Sequence, residues 1–141
     1  MKTLILVAVV IVLFGVLLRK RAALGNSIVD RFSKAIAAAE GFYAPGSRAA
    51  RNHNPGNMTK DLTGKAIGRD GLFVVYANDQ DGWENLQAQV RLAFGGSLIY
   101  NSAMSILEFA KRYTATEQLA WANNVAANLG VNINTKLSEL V

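Results

Sequence analysis

The hydrophobic positions of this chain form one continuous run followed by shorter periodic segments. Residues 4–18 (LILVAVVIVLFGVLL) carry no charge, and the basic triplet at 19–21 ends the run. With the three residues before it, the run approaches the length that crosses about 30 Å of hydrocarbon. Residues 1–21 are therefore predicted to be a single transmembrane anchor that contacts the lipid bilayer through residues 4–18. A cleaved signal peptide is less consistent with basic residues that follow the run.

After residue 25 the apolar residues recur with the period of an α-helix and no longer form a continuous run. Gly25-Asn26 predicts a break, and Ser27 resembles an N-cap with Asp30 three residues later. Apolar residues then fall on one helical stripe, at Ile28, Phe32, Ala35, Ile36 and Ala39. Residues 22–34 are interpreted as a connection and the start of the first domain helix, and residues 35–141 as the domain. Glu40 is predicted on the last turn at the rim of the stripe, with Gly41 ending the helix.

The rest of the chain predicts helices around one small β-element. Residues 42–70 are rich in Gly, Asn and Pro and show no regular period, which is typical of a binding loop. A strand at 72–76 is expected to pair with a segment near 65–67. Helices are expected to begin at Asn78 or Asp79, at Ser102 or Ser105, and at Thr116, the last of them ending at Gly130, with a final turn after Thr135. The fold class is α+β and mostly helical, with one hairpin, preceded by a single transmembrane helix.

Composition narrows the possible functions. The net charge is +5, but four of the fifteen basic residues flank the apolar run, and eleven remain against ten acidic residues from Ser27 onward. The domain therefore lacks the basic stripe that nucleic-acid binding requires, and no nucleic-acid partner is predicted. The chain has no cysteine and one histidine, His53, so neither a metal site nor a cofactor is expected.

Glu40 is the candidate for chemistry. It follows three alanines, adjoins Phe42 and Tyr43, and precedes the irregular loop. A carboxyl group held against apolar surface has a raised pKa, and a glycosidase needs such a group to protonate the leaving oxygen. The alternative interpretation is a solvated glutamate at a helix end.

A longer pattern supports the first interpretation. Residues 39–42 (AEGF) and 46–57 (GSRAARNHNPGN) resemble phage virion proteins of the lysozyme-like, lytic-transglycosylase type. Phe73-x-x-Tyr76, Asp81-Gly82 and residues 124–131 are also similar to that family, so the resemblance extends over residues 36–140. His53 stands where the family pattern more often has Asn, which puts that one contact in doubt.

This resemblance implies a lysozyme-like fold and cleavage of peptidoglycan between N-acetylmuramic acid and N-acetylglucosamine. Glu40 would be the general acid and then the base, with the muramyl 6-hydroxyl attacking in place of water. The implied substrate-binding residues are Ser47, Arg51, Asn52, Asn54, Asn57 and Tyr76. The partners would be the glycan strand and other virion or membrane proteins, with the protein in a virion internal membrane or the host inner membrane. The role would be phage genome delivery or local wall opening.

Several alternatives remain open. Asn52 and Asn57 can instead bond to the backbone of their own loop, and Asn54-Pro55-Gly56 is a good type II turn in itself. A hydrolase would use a second carboxylate, and the candidates are Asp61, Asp70, Asp79 and Asp81. Helical spacing predicts that Trp83, Tyr100, Tyr113 and Trp121 belong to the core, although aromatic rings also stack on sugars.

At the level of the whole protein, the alternative is a non-catalytic minor membrane protein of a virion that keeps the fold. A membrane-lesion protein is the weakest alternative, because one short apolar segment makes a poor pore.

Overall fold

A computed structural model gives the backbone of residues 2–141 and the side chains of residues 16–19, 23 and 25–141. The helices are α1 (Lys2–Ala39), α2 (Arg48–Arg51), α3 (Asp79–Gly95), α4 (Ile106–Tyr113) and α5 (Gln118–Leu129). Strands β1 (Gly68–Asp70) and β2 (Phe73–Val75) form one antiparallel hairpin, and a short 3-10 helix spans Leu137–Glu139. The α+β, mostly helical part of the predicted fold class agrees with this architecture.

The transmembrane part of the predicted fold class is corrected. Within the part of the chain that the structure describes, no helix combines the length and the apolar character needed to cross a bilayer. The side chains of residues 4–15, on which that prediction largely rested, lie outside those described. The backbone is continuous with the domain, because α1 runs through Gly25 and Asn26 where a break was predicted. Ser27 is therefore an interior residue of α1, not its N-cap.

The C-terminal part of α1 forms the centre of the hydrophobic core. Ile28, Phe32 and Ile36 are buried on the predicted stripe. The ring of Phe32 meets those of Phe94 and Phe109 edge-on at 5.5 and 5.3 Å, a favoured aromatic geometry. Packing of α1 against α3 and α5, and of α4 against α5, encloses this core. Because burial extends to Ala37, the last turn of α1 is packed into the domain.

Most predicted helix boundaries are confirmed. The side chain of Asn78 accepts a hydrogen bond from Asp81 N and caps α3. Ser105, the second of the two candidates, caps α4 in a capping box with Glu108. Gly130 ends α5 with a φ of 72°. The N-cap of α5 is Glu117, one residue after the predicted Thr116.

The hairpin differs in register from the prediction. Asp70 pairs with Phe73 and Gly68 with Val75, so the strand before the turn is 68–70 and not 65–67. The physical reason is the tight two-residue turn at Gly71-Leu72, in which Gly71 has a φ of 61°. A two-residue turn pairs the residues directly before it with those directly after it.

Candidate active site

Glu40 directly follows the last residue of α1. Its backbone N–H donates to Ile36 O at 2.9 Å, which continues the helical pattern by one residue. The chain then turns out of the helix at Gly41, which has a φ of 74°. The N–H of Phe42 donates back to Ala37 O at 2.9 Å, as in a Schellman-type helix end. The position predicted for Glu40 at the end of the helix is confirmed.

The Glu40 carboxylate accepts two hydrogen bonds from neutral donors. Trp121 Nε1 lies 2.8 Å from Oε1, and Asn57 Nδ2 lies 3.1 Å from Oε2. Among the side chains that the structure describes, none of the ion pairs includes Glu40. Burial raises the pKa of Glu40 above its ordinary value of 4.5, and the two hydrogen bonds only partly oppose this shift because they stabilise the charged form. This half-buried carboxyl is therefore predisposed to hold a proton.

Asn57 reaches Glu40 from the irregular loop. Its backbone lies in the left-handed region with a φ of 45°, which asparagine tolerates better than most residues. Its N–H donates to Asn54 O at 2.9 Å and closes the turn through Pro55-Gly56. The other side-chain atom, Oδ1, is buried and has no hydrogen-bond partner within the described part of the chain. One end of this amide thus contacts the acid, and the other end is unsatisfied.

Gly56 and Tyr113 fix the turn that carries Asn57. The hydroxyl of Tyr113 donates to Gly56 O at 2.6 Å. A Cβ at position 56 would lie 2.5 Å from that hydroxyl oxygen and 2.7 Å from Leu86 Cδ1. No side chain fits at these distances, so glycine is required for the turn to approach α4 this closely. The contact helps to hold the turn that carries Asn57 in place.

Aromatic rings pack around Trp121, the other residue that donates a hydrogen bond to Glu40. Trp121 is buried in α5, and its ring centroid lies 5.0 Å from that of Tyr113. Tyr113 stacks in turn on Phe109 at 5.4 Å. The predicted core location of Trp121 is confirmed. Its hydrogen bond to Glu40 was not predicted, because helical spacing shows burial but not the destination of an indole N–H.

Most of the predicted substrate-binding residues are engaged within the loop. Ser47 Oγ accepts from Ala50 N at 3.2 Å and caps α2, and an Arg51 guanidinium nitrogen donates to Gly46 O. Asn52 Nδ2 donates to Asp70 Oδ2 at 3.1 Å. Asn52 therefore bonds to a side chain of β1, and not to the backbone of its own loop as the alternative predicted. Of the predicted set, Asn57 is the residue bonded to Glu40.

Asn54 and Tyr76 lie in the interior. Asn54 is fully buried, its Nδ2 donates to Met58 O and Val74 O at 2.9 and 2.8 Å, and its Oδ1 accepts from Met58 N at 2.8 Å. Tyr76 is 1% exposed, and its hydroxyl donates to Asp61 Oδ1 at 3.2 Å. In this conformation neither residue presents a free polar atom to a ligand. Both instead tie the irregular loop to the hairpin.

The four candidate second carboxylates all have other partners. Asp61 accepts hydrogen bonds from the backbone of Thr63, Gly64 and Ala66. Burial opposes ionisation of Asp61, but these bonds and those from the Thr63 and Tyr76 hydroxyls outweigh it and lower its pKa. The other three contact different residues: Asp70 meets Asn52 and Arg48, Asp79 meets His53 Nδ1, and Asp81 meets Lys65. Within residues 25–141, none of the four is bonded to Glu40 or to its two donors.

Asn57, which bonds to the Glu40 carboxylate, also lines a small cleft. Its volume is about 140 Å³, and its lining residues are Asn57, Met58, Thr59, Lys60, Gln89, Ile99, Tyr100, Arg112 and Tyr113. A larger cavity of about 530 Å³ lies elsewhere, between the middle of α1, the end of α3 and the C-terminus. Size does not identify the site here, because the larger cavity is lined by neither Glu40 nor its donors. Glu40 itself lies beside the small cleft and does not line it.

Comparison with protein-family profiles, with curated protein sequences and with solved structures finds no match to this chain.

Proposed function

We propose that this protein is a peptidoglycan-cleaving enzyme of the lytic-transglycosylase type, acting on the bond between N-acetylmuramic acid and N-acetylglucosamine. One observation carries the proposal: Glu40 is half-buried, has a raised pKa, and is held by two neutral donors. A general acid for glycoside cleavage needs this combination of a retained proton and a fixed orientation. A cation beside the carboxyl group would favour its charged form and work against that role.

The proposed reaction uses this one carboxyl group twice. Protonated Glu40 gives its proton to the glycosidic oxygen as the bond from that oxygen to C1 of the muramyl residue breaks. The carboxylate then takes the proton of the muramyl 6-hydroxyl, whose oxygen forms a new bond to C1. The products are a 1,6-anhydromuramyl end and a free 4-hydroxyl on N-acetylglucosamine, and no water is consumed. The other engagements of the four aspartates favour this route over hydrolysis, which ordinarily uses a second carboxylate.

The test is product analysis of digested peptidoglycan. The full-length protein is incubated with purified sacculi, and released muropeptides are separated and weighed by mass spectrometry. Wild type is expected to release 1,6-anhydro products, which are lighter by one water than hydrolytic products. Glu40→Gln is expected to release none, and Glu117→Gln is the matched control because Glu117 is exposed and makes no side-chain cap hydrogen bond. Equal release by wild type and Glu40→Gln would refute the assignment.

One observation favours the non-catalytic alternative, a glycan-binding structural protein. The cleft beside Glu40 is small, and Glu40 does not line it. Under this alternative, chitooligosaccharides bind to wild type and to Glu40→Gln with the same affinity, and sacculi incubated with either protein release no muropeptide. The biological setting, local opening of the wall during phage genome delivery, rests on the sequence resemblance alone.

A further inference from the structure

The cleft beside Asn57 carries positive charge that the proposed acid/base chemistry does not use. Lys60 and Arg112 both line it. Neither forms an ion pair with any of the side chains described in the structure. One guanidinium nitrogen of Arg112 donates to Ile99 O at 2.9 Å, which anchors the side chain. The other N–H groups of the guanidinium can still donate to a ligand. Two basic residues thus contribute to the lining of one cleft.

No acidic side chain neutralises the cleft from within. Its other polar lining side chains belong to Asn57, Thr59, Gln89, Tyr100 and Tyr113, and none of them carries a negative charge at neutral pH. The nearest acid along α4, Glu108, uses its carboxylate to accept from Ser105 N at 2.8 Å in the capping box. The field in the cleft therefore favours an anionic ligand.

A second observation independently indicates a polar ligand. Asn57 lines the same cleft, and its Oδ1 is buried without a hydrogen-bond partner. An unsatisfied buried acceptor costs free energy, and that cost is relieved when a donor arrives. An amide N–H is such a donor. Two basic residues and an asparagine with an unpaired acceptor, all in the lining of one small cleft, therefore match a ligand that carries both a carboxylate and an amide.

We infer that this cleft binds a carboxylate on the muramyl side of the glycan, with a neighbouring amide N–H donating to Asn57 Oδ1. The inference rests on the proposed function for its substrate class. N-acetylmuramic acid differs from N-acetylglucosamine by a lactyl ether that ends in a carboxylate. In peptidoglycan that carboxylate is amidated by the peptide stem, and the next carboxylates belong to the stem. Both sources offer the same chemistry to Lys60 and Arg112, through charge-assisted hydrogen bonds.

The experiment measures binding without cleavage. Isotope-labelled full-length wild type is titrated by NMR with N-acetylmuramic acid, with muramyl dipeptide and with N-acetylglucosamine, none of which has a glycosidic bond to break. At least one muramyl ligand is expected to shift the amide signals of residues 57–60 and to bind roughly tenfold more tightly than N-acetylglucosamine. Preference for the monosaccharide identifies the lactyl carboxylate, and preference for the dipeptide identifies the stem. Equal binding of all three, or binding of none, would overturn the inference.

Single substitutions test whether the charges of Lys60 and Arg112 are responsible for the binding. Lys60→Gln and Arg112→Gln are each expected to weaken the preferred muramyl ligand roughly tenfold and to leave N-acetylglucosamine unaffected. Lys111→Gln is the matched control, because Lys111 is exposed on α4 next to Arg112 and does not line the cleft. If the control weakens binding as much as the other two, the effect is one of net charge and the site is refuted. Muramyl binding without any muropeptide release would instead leave the site standing and reject the enzyme.

Discussion

The indole nitrogen of Trp121 lies 2.8 Å from the carboxylate oxygen Oε1 of Glu40, across 81 residues of sequence. This contact joins α5 to the end of α1, two elements that also pack against each other in the core. The donor belongs to a buried ring that packs against Tyr113, so its direction is fixed before any ligand arrives. The orientation of the proposed acid is therefore built into the packing of the core.

Trp121→Phe is expected to move the pH dependence of cleavage. The indole N–H stabilises the charged form of Glu40, so its removal raises the pKa of Glu40 further. Because the general acid acts when protonated, the alkaline limb of kcat/KM against pH should shift to higher pH. Loss of the hydrogen bond should also lower the free energy of unfolding by about 1–3 kcal/mol. Trp83→Phe is the control, since that ring packs on Phe42 and should leave the limb in place. If the alkaline limb of Trp121→Phe lies at the same pH as that of wild type, the hydrogen bond from Trp121 does not set the pKa of Glu40.

Glu40→Gln is expected to be more stable than wild type at neutral pH. A carboxyl group whose pKa is raised on folding binds its proton more tightly in the folded state, so folding is penalised once the pH exceeds the pKa of the unfolded chain. Below the ordinary value of 4.5 both states are protonated and the penalty vanishes. The stability advantage of Glu40→Gln should therefore grow as the pH rises above about 4 and level off once the pH exceeds the raised pKa of the folded state, as measured by urea unfolding at each pH.

The loop can accommodate this substitution. The glutamine oxygen can accept from Trp121 Nε1, and its amide group can donate to the unsatisfied Oδ1 of Asn57 after rotation of the Asn57 amide. Glu117→Gln, at an exposed position, should show no such pH-dependent advantage. A constant difference between Glu40→Gln and wild type across the pH range would mean that the Glu40 carboxyl group titrates as it does in the unfolded chain.

Asn54→Ala is expected to destabilise the protein by about 2–4 kcal/mol, because Val74 O and Met58 N lose their hydrogen bonds to Asn54 and Met58 O keeps only the bond from Val74 N. These groups belong to Met58 and Val74, which connect the irregular loop to β2. Asn123→Ala is the control, since Asn123 is exposed and its amide donates only to Leu119 O on the surface of α5. Urea unfolding should separate the two variants clearly. Equal stability of Asn54→Ala and the control would show that the loop is held by other contacts.

Local signals in the sequence were sufficient for much of the architecture. The helix end at Glu40, a helix start at Ser105 and the helix end at Gly130 follow from short-range chemistry, and all three are present. The break at Gly25-Asn26 was wrong because the helix penalty of one glycine, about 1 kcal/mol, is small beside the continuity of a long helix anchored at Ile28 and Phe32. Helical propensity on both sides outweighed the local turn signal.

The candidate site was predictable only in part. Glu40 and Asn57 were found because each belongs to a contiguous pattern of residues. The role of Trp121 depends on how α5 packs against α1, and no periodicity within either segment encodes that contact. Asn54 was predicted to bind substrate because it belongs to the pattern at residues 46–57. Its side chain is instead buried inside the loop. Long-range packing decides which polar residues of a motif face a ligand.

Gly82→Ala is expected to be the most disruptive small substitution in the domain. A Cβ at position 82 in α3 would lie 1.9 Å from the carbonyl oxygen of His53 and 2.9 Å from Pro55 Cδ. Both atoms belong to the loop that leads to Asn57, and a backbone carbonyl cannot move aside as a flexible side chain can. The substitution should lower the free energy of unfolding by about 3 kcal/mol or more and displace the loop. Gly95→Ala is the control on the same helix, where a Cβ meets nothing within 4 Å and should be neutral or stabilising by up to about 1 kcal/mol. Equal unfolding midpoints for the two variants would mean that α3 and the loop do not pack as closely as this contact requires.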